Sequence, residues 1–209
     1  MKPVKIIEYR NHKIEIWYDD FCFNLFEERE FLGTITSINN SIPGKECYKD
    51  IEDLFYNVLY SLDYDSEYIE KMLERYPLCD RENISVFENL LGEKAIYLPI
   101  YAYIHSGIAL NTVGFCCPWD SGQIGYIYVS REQIKREYGK KRVSKKLRTK
   151  IEEILKNEVE IYSQYISGEV YGYRILDLRG NEIDSCFGFI GDIEKNGIID
   201  HAKDYIDNL

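Results

Sequence analysis

AIYLPIYAYIHS, residues 95–106, is the longest strand that the sequence predicts, and it decides the fold. Apolar side chains recur at every second position from Ile96 to Ile104, and mainly tyrosines and His105 occupy the positions between them. A period of two is typical of a β-strand whose two faces meet different surroundings. Ser106 and Gly107 are typical of a tight turn, so we expect a hairpin that continues over residues 108–113.

Shorter stretches with the same alternation lie on both sides of this strand. They cover residues 5–9, 14–18, 33–38, 123–129, 170–178 and 182–190. Asn11 with His12, and Gly180 with Asn181, stand between neighbouring stretches and favour two further hairpins. Most of the strands are therefore joined by turns or by blocks of helices, which predicts a largely antiparallel sheet.

The period changes to that of amphipathic helices in the rest of the chain, where apolar residues recur at i, i+3 and i+4. The helices predicted in this way cover residues 51–62, 66–76, 84–91, 130–139, 144–166 and 200–206. Gly92 stands where a C-terminal cap would end the third helix. Ser130 and Gln133 form a capping box, which predicts the start of the fourth.

The order of these elements predicts an α+β fold with one mixed, largely antiparallel sheet and helices segregated in blocks on one face. A chain of 209 residues is within the size of one domain, and no long polar linker or repeat divides it. We therefore expect a single domain over residues 1–209. It would consist of N-terminal strands (1–45), an acidic helical block (46–92) and an α+β core (93–209).

The composition predicts a cytoplasmic protein that needs no metal or cofactor. The chain shows no signal peptide and no apolar run long enough to span a membrane. No common nucleotide-binding, zinc-protease or serine-hydrolase motif occurs. The six cysteines lack the spacing of zinc ligands, so we expect reduced thiols, mostly buried as small apolar groups. They are Cys22, Cys47, Cys79, Cys116, Cys117 and Cys186.

The net charge of −10 is unevenly distributed. Residues 131–156 hold 11 Lys and Arg against 4 Asp and Glu, a local charge of +7, so the remainder of the chain carries −17. Residues 46–74 hold nine carboxylates and two basic residues, enough to repel nucleic acid and attract a basic protein surface. The 19 tyrosines also suit a protein interface, because each ring combines apolar area with a hydroxyl.

The candidate catalytic residues are His105, Asp120 and Cys186, with Cys117 as an alternative to Cys186. A cysteine nucleophile needs a base to ionise at neutral pH. His12 and His201 fall in a predicted turn and a terminal helix, which leaves His105 as the base and Asp120 as the carboxylate that orients it. A structural explanation is also open, in which Asp120 caps backbone amides and a buried Trp119 packs beneath the loop.

No metal site is predicted from these residues. A zinc site would draw on His105, Asp120 and one of the adjacent cysteines Cys116 and Cys117, which do not have the spacing of structural zinc ligands. Asp120 and Asp184 together would offer a divalent cation only two of the several oxygens that it needs.

The motifs LPIYAYIHSG (98–107) and CPWDSGQIGYIYVS (117–130) resemble a family of small proteins encoded by phages and conjugative elements. The similarity continues through residues 158–191, which include the motif DSCFG (184–188), so it covers roughly the C-terminal half. The resemblance implies no assigned activity and no site residues. It implies a mobile-element setting, in which small acidic accessory proteins often occlude a host defence nuclease.

We therefore expect a non-enzymatic protein that binds and inhibits a host defence protein with a basic groove, such as a CRISPR effector or a restriction enzyme. Its carboxylates would replace the phosphates of the target's nucleic acid. The residues predicted to bind the partner are Glu52, Asp53, Asp63, Asp65, Glu67, Glu70 and Glu74. One alternative is a hydrolase that uses His105, Cys186 and Asp120. The other is an accessory protein that binds nucleic acid through residues 131–156.

Overall fold

The computed structural model describes residues 2–20, 24–42 and 44–209, so Cys22 lies outside the described residues. The strands are β1 (Lys5–Tyr9), β2 (His12–Tyr18), β3 (Thr34–Ser37), β4 (Glu46–Cys47), β5 (Ala95–Ile104), β6 (Ile108–Asn111), β7 (Ser121–Ser130), β8 (Val170–Leu176) and β9 (Glu182–Ile190). The helices are α1 (Leu25–Glu28), α2 (Ile51–Ser61), α3 (Ser66–Arg75), α4 (Arg81–Lys94), α5 (Arg131–Tyr138), α6 (Lys145–Ile166) and α7 (Ile198–Asp207). The predicted α+β class is confirmed.

The strands form two sheets where the sequence predicted one. β1, β2, β8 and β9 lie in that order in a four-stranded antiparallel sheet. β4, β3, β7, β5 and β6 form the second sheet, in which β3 pairs with β4 in parallel and the other neighbours are antiparallel. The chain divides into two compact units: unit 1 comprises Met1–Glu28 and Ile161–Leu209, and unit 2 comprises Arg29–Glu160. The single-domain organisation stays a prediction.

Helix α7 supplies much of the core of unit 1. Its residues Ile198, Ala202 and Ile206 recur at every fourth position and are buried. They share this core with Ile14, Ile16, Tyr171, Tyr173 and Ile175 of β2 and β8. A helix with one apolar stripe has to cover a sheet face in this way, because neither element can bury its apolar side chains alone.

The predicted N-terminal hairpin is confirmed, with its turn one residue earlier than expected. Arg10 and Asn11 form the turn with φ angles of 45° and 63°, and His12 already belongs to β2. Two successive residues with positive φ match the twist of the flanking strands, which is why this type of turn is common in two-residue hairpins.

β7 is the central strand of unit 2, and its six consecutive residues 124–129 are buried. On one face the ring of Tyr126 lies 5.5 Å from that of Phe55 in α2, which in turn lies 5.3 Å from that of Phe87 in α4. On the other face Ile127 lies beside Leu155 of α6, around the small residue Gly33. The predicted block of helices α2–α4 thus covers one face, and α6 adds a layer on the other.

Helix α4 is longer than predicted, since Gly92 lies inside it and does not cap it. The helix runs on to Lys94, whose ammonium group donates to the carbonyl oxygens of Leu62 and Asp63 at 2.7 and 2.8 Å. These bonds tie the last turn of α4 to the end of α2. The stabilisation that this contact gives the C-terminal turn outweighs the low helix propensity of one glycine.

The contact between β3 and β7 is unusually close. The buried hydroxyl of Thr36 donates to the carbonyl of Tyr126 at 2.9 Å and accepts from its backbone N–H at 3.0 Å. A Cβ atom added to Gly125 would lie 2.1 Å from the carbonyl oxygen of Thr36. Only glycine therefore allows the two backbones to approach this far.

A buried carboxylate fixes the chain at the start of β3. Glu158 of α6 is 8% exposed, and its two oxygens accept from the backbone N–H groups of Leu32 at 2.6 Å and Gly33 at 2.9 Å. Burial raises the pKa of Glu158, and the two N–H donors oppose that shift without cancelling it. The carboxylate thus satisfies two backbone donors while it carries a desolvation cost.

We expect Gly125→Ala to lower the free energy of unfolding by about 2–3 kcal/mol, because the new methyl group has to displace the backbone of β3. Gly122→Ala is the matched control, since it lies on the same strand and its Cβ would meet no atom within 4 Å. Urea unfolding followed by circular dichroism measures both variants. Equal stability of the two would show that the close approach is not required.

We expect the stability advantage of the wild type over Glu158→Gln to shrink as the pH rises from the ordinary glutamate value of 4.5. The raised pKa means that the folded protein holds this proton more tightly than the unfolded chain does. The resulting stability is present at low pH and is lost as pH rises through the raised pKa. Urea unfolding between pH 4 and 8 measures it, with the exposed Glu160→Gln as control. A constant difference across this range would contradict the prediction.

Candidate functional site

The predicted partner-binding carboxylates lie on α2, on α3 and in the turn between them. Six of the seven are exposed, and we call them together the acidic face. They are Glu52, Asp63, Asp65, Glu67, Glu70 and Glu74. Asp53 differs, because its carboxylate accepts from the side chain of Asn57 at 2.8 Å and from the backbone N–H of Lys49 at 3.1 Å. Asp53 therefore stabilises the start of α2.

Helix α3 positions the densest part of the acidic face. Its Ile69 is fully buried, and Met72 and Leu73 pack against the same core. Glu67, Glu70 and Glu74 are spaced i, i+3 and i+7, so they line the solvent side of the helix over about 10 Å. Asp65 has a second role, since it accepts from the backbone N–H of Tyr68 at 3.0 Å and caps the helix.

The acidic face is little neutralised within its own unit. Lys71 forms an ion pair with Glu67 at 2.6 Å. The other five carboxylates of the face form no ion pair with any residue that the structure describes. The negative potential of these helices is thus directed to solvent, where it is available to a positively charged partner.

Two tyrosines of the same helices are also open to solvent. Tyr60 is 61% exposed and Tyr68 is 41% exposed. Each is held by a stacked neighbour, at ring distances of 6.4 Å from Tyr56 and 6.2 Å from Tyr64. A ring that is fixed before binding loses little conformational entropy at an interface, and tyrosine is enriched at such sites.

Other tyrosines have structural roles. Within the described residues, five tyrosine hydroxyls donate to carboxylates at 2.6–3.1 Å. The pairs are Tyr9–Asp207, Tyr48–Glu46, Tyr64–Glu93, Tyr126–Glu88 and Tyr173–Asp184. Burial, followed by the neighbouring carboxylate, raises the pKa of Tyr126 and of Tyr173. The tyrosine excess is therefore partly used inside the fold.

The structure brings His105 and Asp120 together. Nδ1 of His105 lies 3.6 Å from Oδ2 of Asp120, and Sγ of Cys117 lies 3.7 Å from the same oxygen. The carboxylate thus stands between the thiol and the imidazole, whereas activation of a nucleophile needs the imidazole in the middle. A negative neighbour also does not favour a thiolate. This arrangement does not supply an activated cysteine.

Cys186 belongs to unit 1, on β9, while His105 and Asp120 belong to unit 2. In unit 1, Cys186 lies opposite Tyr173 on the neighbouring strand. The hydroxyl of Tyr173 lies 3.0 Å from Oδ2 of Asp184 and 3.0 Å from Nδ1 of His201. Since a phenol has one proton, donation to Asp184 makes the hydroxyl an acceptor for Nδ1–H of His201. This chain of bonds fixes the tautomer and orientation of an exposed imidazole.

His201 was not predicted as a site residue, although the sequence holds a signal for it. In α7 it follows Ile198 by three positions, so the helical period places it at the border of the buried stripe, where its exposed ring lies 5.7 Å from that of Tyr173. That His105 is the base of a catalytic site stays a prediction. Among the described residues, Tyr173 is the one hydrogen-bond partner of the His201 ring.

The expectation of a buried Trp119 is wrong, and so is that of mostly buried cysteines, whereas the described cysteines are free thiols as expected. Trp119 is 91% exposed, while Phe115 of the same loop is half-buried and packs against Tyr103 at a ring distance of 5.7 Å. Three of the described cysteines are exposed and two are half-buried. The exposed ones are Cys47, Cys79 and Cys116. They lie in turns or at the end of a short strand, where no apolar period forces a side chain inward.

The described residues contain no group of three or more histidine, cysteine, aspartate or glutamate side chains arranged to hold a metal ion. Nor does any helix in these ranges combine the length and apolar character needed to cross a membrane. The basic residues 131–156 lie on α5, on α6 and in the loop that joins them.

No family model matches this chain, and no curated protein or solved structure is significantly similar to it. The resemblance to proteins of phages and conjugative elements therefore stays a prediction.

Proposed function

We propose that this chain is a binding protein that inhibits a defence protein of a bacterial host through its acidic face. The observation that carries the proposal is the exposure of six carboxylates on α2, α3 and their connecting turn, five of them without an ion pair to a described residue. Carboxylates that have no internal partner keep a strong negative potential, which accelerates encounter with a positive surface.

The partner that suits such a surface has a groove rich in lysine and arginine. Nucleic-acid-binding proteins have such grooves, because their affinity rests on neutralising phosphates. A row of carboxylates on α3 presents negative charge at a regular spacing, as a phosphate backbone does. A defence nuclease such as a CRISPR effector or a restriction enzyme therefore fits the charge of the acidic face.

The exposed rings of Tyr60 and Tyr68 support a protein partner over a free cation. Charge alone gives a fast encounter, whereas a stable complex needs apolar area that is desolvated on binding. Two rings held in place on the same helices supply this area. The proposal thus combines electrostatic attraction with a small aromatic anchor.

The hydrolase alternative stays a prediction. The geometry around Asp120 does not activate Cys117, and the described partner of His201 is a tyrosine. A binding function needs neither group.

We expect the triple variant Glu67→Lys, Glu70→Lys, Glu74→Lys to lose its ability to inhibit the defence protein. The change replaces three carboxylates of α3 with ammonium groups, which a basic groove would repel. Phage plating on cells that carry a CRISPR or restriction system measures the effect of the expressed chain. The wild type should raise plating efficiency, and inhibition of the purified effector should need a roughly tenfold higher concentration of the variant. Inhibition by the wild type should also weaken as salt rises from 50 to 300 mM.

The matched control is Glu30→Lys, Glu137→Lys, Glu160→Lys, which makes the same change in net charge at exposed positions of unit 2 outside the acidic face. It should inhibit like the wild type. Both triple variants should unfold within about 1.5 kcal/mol of the wild type, since exposed substitutions shift stability by about 0.5 kcal/mol each. Equal inhibition by all three proteins would rule out the acidic face, and no inhibition of any defence system would rule out the function.

A further inference from the structure

A basic cleft lies at the junction of α5 and α6, on residues that the acidic face does not use. Its volume is about 840 Å³. Five cationic side chains line it, and all are exposed. They are Lys140, Lys141, Arg142, Lys146 and Lys150. We use the name basic cleft for these five residues together with Tyr138 and Leu147, which also line it.

The cations of the basic cleft are not neutralised within unit 2. None of the five forms an ion pair with a residue in the described ranges, and Glu153 is the one carboxylate among the lining residues. The cleft also borders the start of α6, a helix of 22 residues whose N-terminal end carries partial positive charge. The site therefore suits a ligand with more than one negative charge.

The wall of the cleft is not purely polar. Nζ of Lys150 lies 5.2 Å from the centre of the Tyr138 ring, and both Tyr138 and Leu147 are half-buried beside it. An aromatic face next to an ammonium group matches a nucleotide, in which a planar base adjoins a phosphate. An inorganic anion would use the cations but not the ring.

We infer that the basic cleft binds single-stranded nucleic acid, with phosphates on its lysines and arginine and one base on the ring of Tyr138. A base has to leave its stack to reach an aromatic side chain, which favours a single strand over a duplex. Arg136 and Lys145 extend the positive surface beyond the cleft, and they too are exposed and form no ion pair with a described residue. A strand offers these additional cations further phosphates, whereas a mononucleotide does not.

This inference is independent of the proposed inhibition, because it uses other residues and another class of ligand. The two surfaces carry opposite charges, so binding of a nucleic acid at the cleft and of a basic protein at the acidic face are separate properties. A negative result for binding at the basic cleft would therefore not contradict inhibition through the acidic face, and the reverse holds as well.

The test is fluorescence anisotropy of a labelled 12-mer oligothymidylate with the full chain at 50–200 mM NaCl. We expect saturable binding. The logarithm of the association constant should fall linearly with the logarithm of the salt concentration. Lys146→Ala with Lys150→Ala should flatten this slope by about 1.4, since each contact with a single strand contributes about 0.7. Tyr138→Leu should weaken binding roughly tenfold with an unchanged slope, and Tyr138→Phe should bind like the wild type.

Lys45→Ala with Lys156→Ala is the matched control, because it removes two exposed cations of unit 2 outside the cleft. Its affinity and slope should equal those of the wild type, and circular dichroism should show all variants folded. The inference would be overturned by no binding at 50 mM NaCl, by tighter binding of a 12-base-pair duplex than of the single strand, or by displacement of the 12-mer by an equal concentration of AMP. Equal loss of affinity in the control would show general attraction and overturn it as well.

Discussion

The close approach of β3 to β7 is the contact on which unit 2 depends. Gly125 lets the two backbones approach closely, and the hydroxyl of Thr36 bonds to both the carbonyl and the N–H of Tyr126. Glu158 accepts from the backbone just before β3. Because β7 is buried on both faces, a shift of β3 that moves β7 would also displace the helices packed on either side. The helices that carry the acidic face pack on the same strand through Phe55 and Tyr126. The position of the charged surface therefore follows from an interior contact.

Much of the fold follows from local sequence patterns. The strand over residues 95–104, helices α2 and α3, the cap of α5 by Ser130 and the left-handed Gly139 at its end all agree with their patterns. The number of sheets does not follow, because alternation shows that a strand has two faces but not which strands it joins. β2 pairs with β8, about 160 residues further along the chain, and no turn signal links them. The short elements α1 and β4 have too few residues for a period to emerge.

The candidate site could be predicted only where a period relates sequence to surface. The helical spacing in α3 places its carboxylates outside, and the structure has them there. Trp119 lies in a loop, where no period indicates which aromatic residue packs inward, and the structure has Phe115 against Tyr103 and Trp119 in solvent. The tyrosines show the same limit, since composition does not distinguish Tyr126, bound to Glu88 in the core, from the exposed Tyr60. Which hydroxyl finds a carboxylate is decided by tertiary contacts.

The way the two units share the chain has a consequence for the order in which they form during synthesis. Unit 2 is one continuous segment, Arg29–Glu160, so all its strands are available once that segment has left the ribosome. Unit 1 is assembled from both sides of this segment, and β2 has to wait for β8 before its second edge is paired. Until then the N-terminal hairpin exposes an open edge and the apolar side chains of Ile14 and Ile16. Chaperones that recognise short apolar strands would meet the nascent chain during this interval.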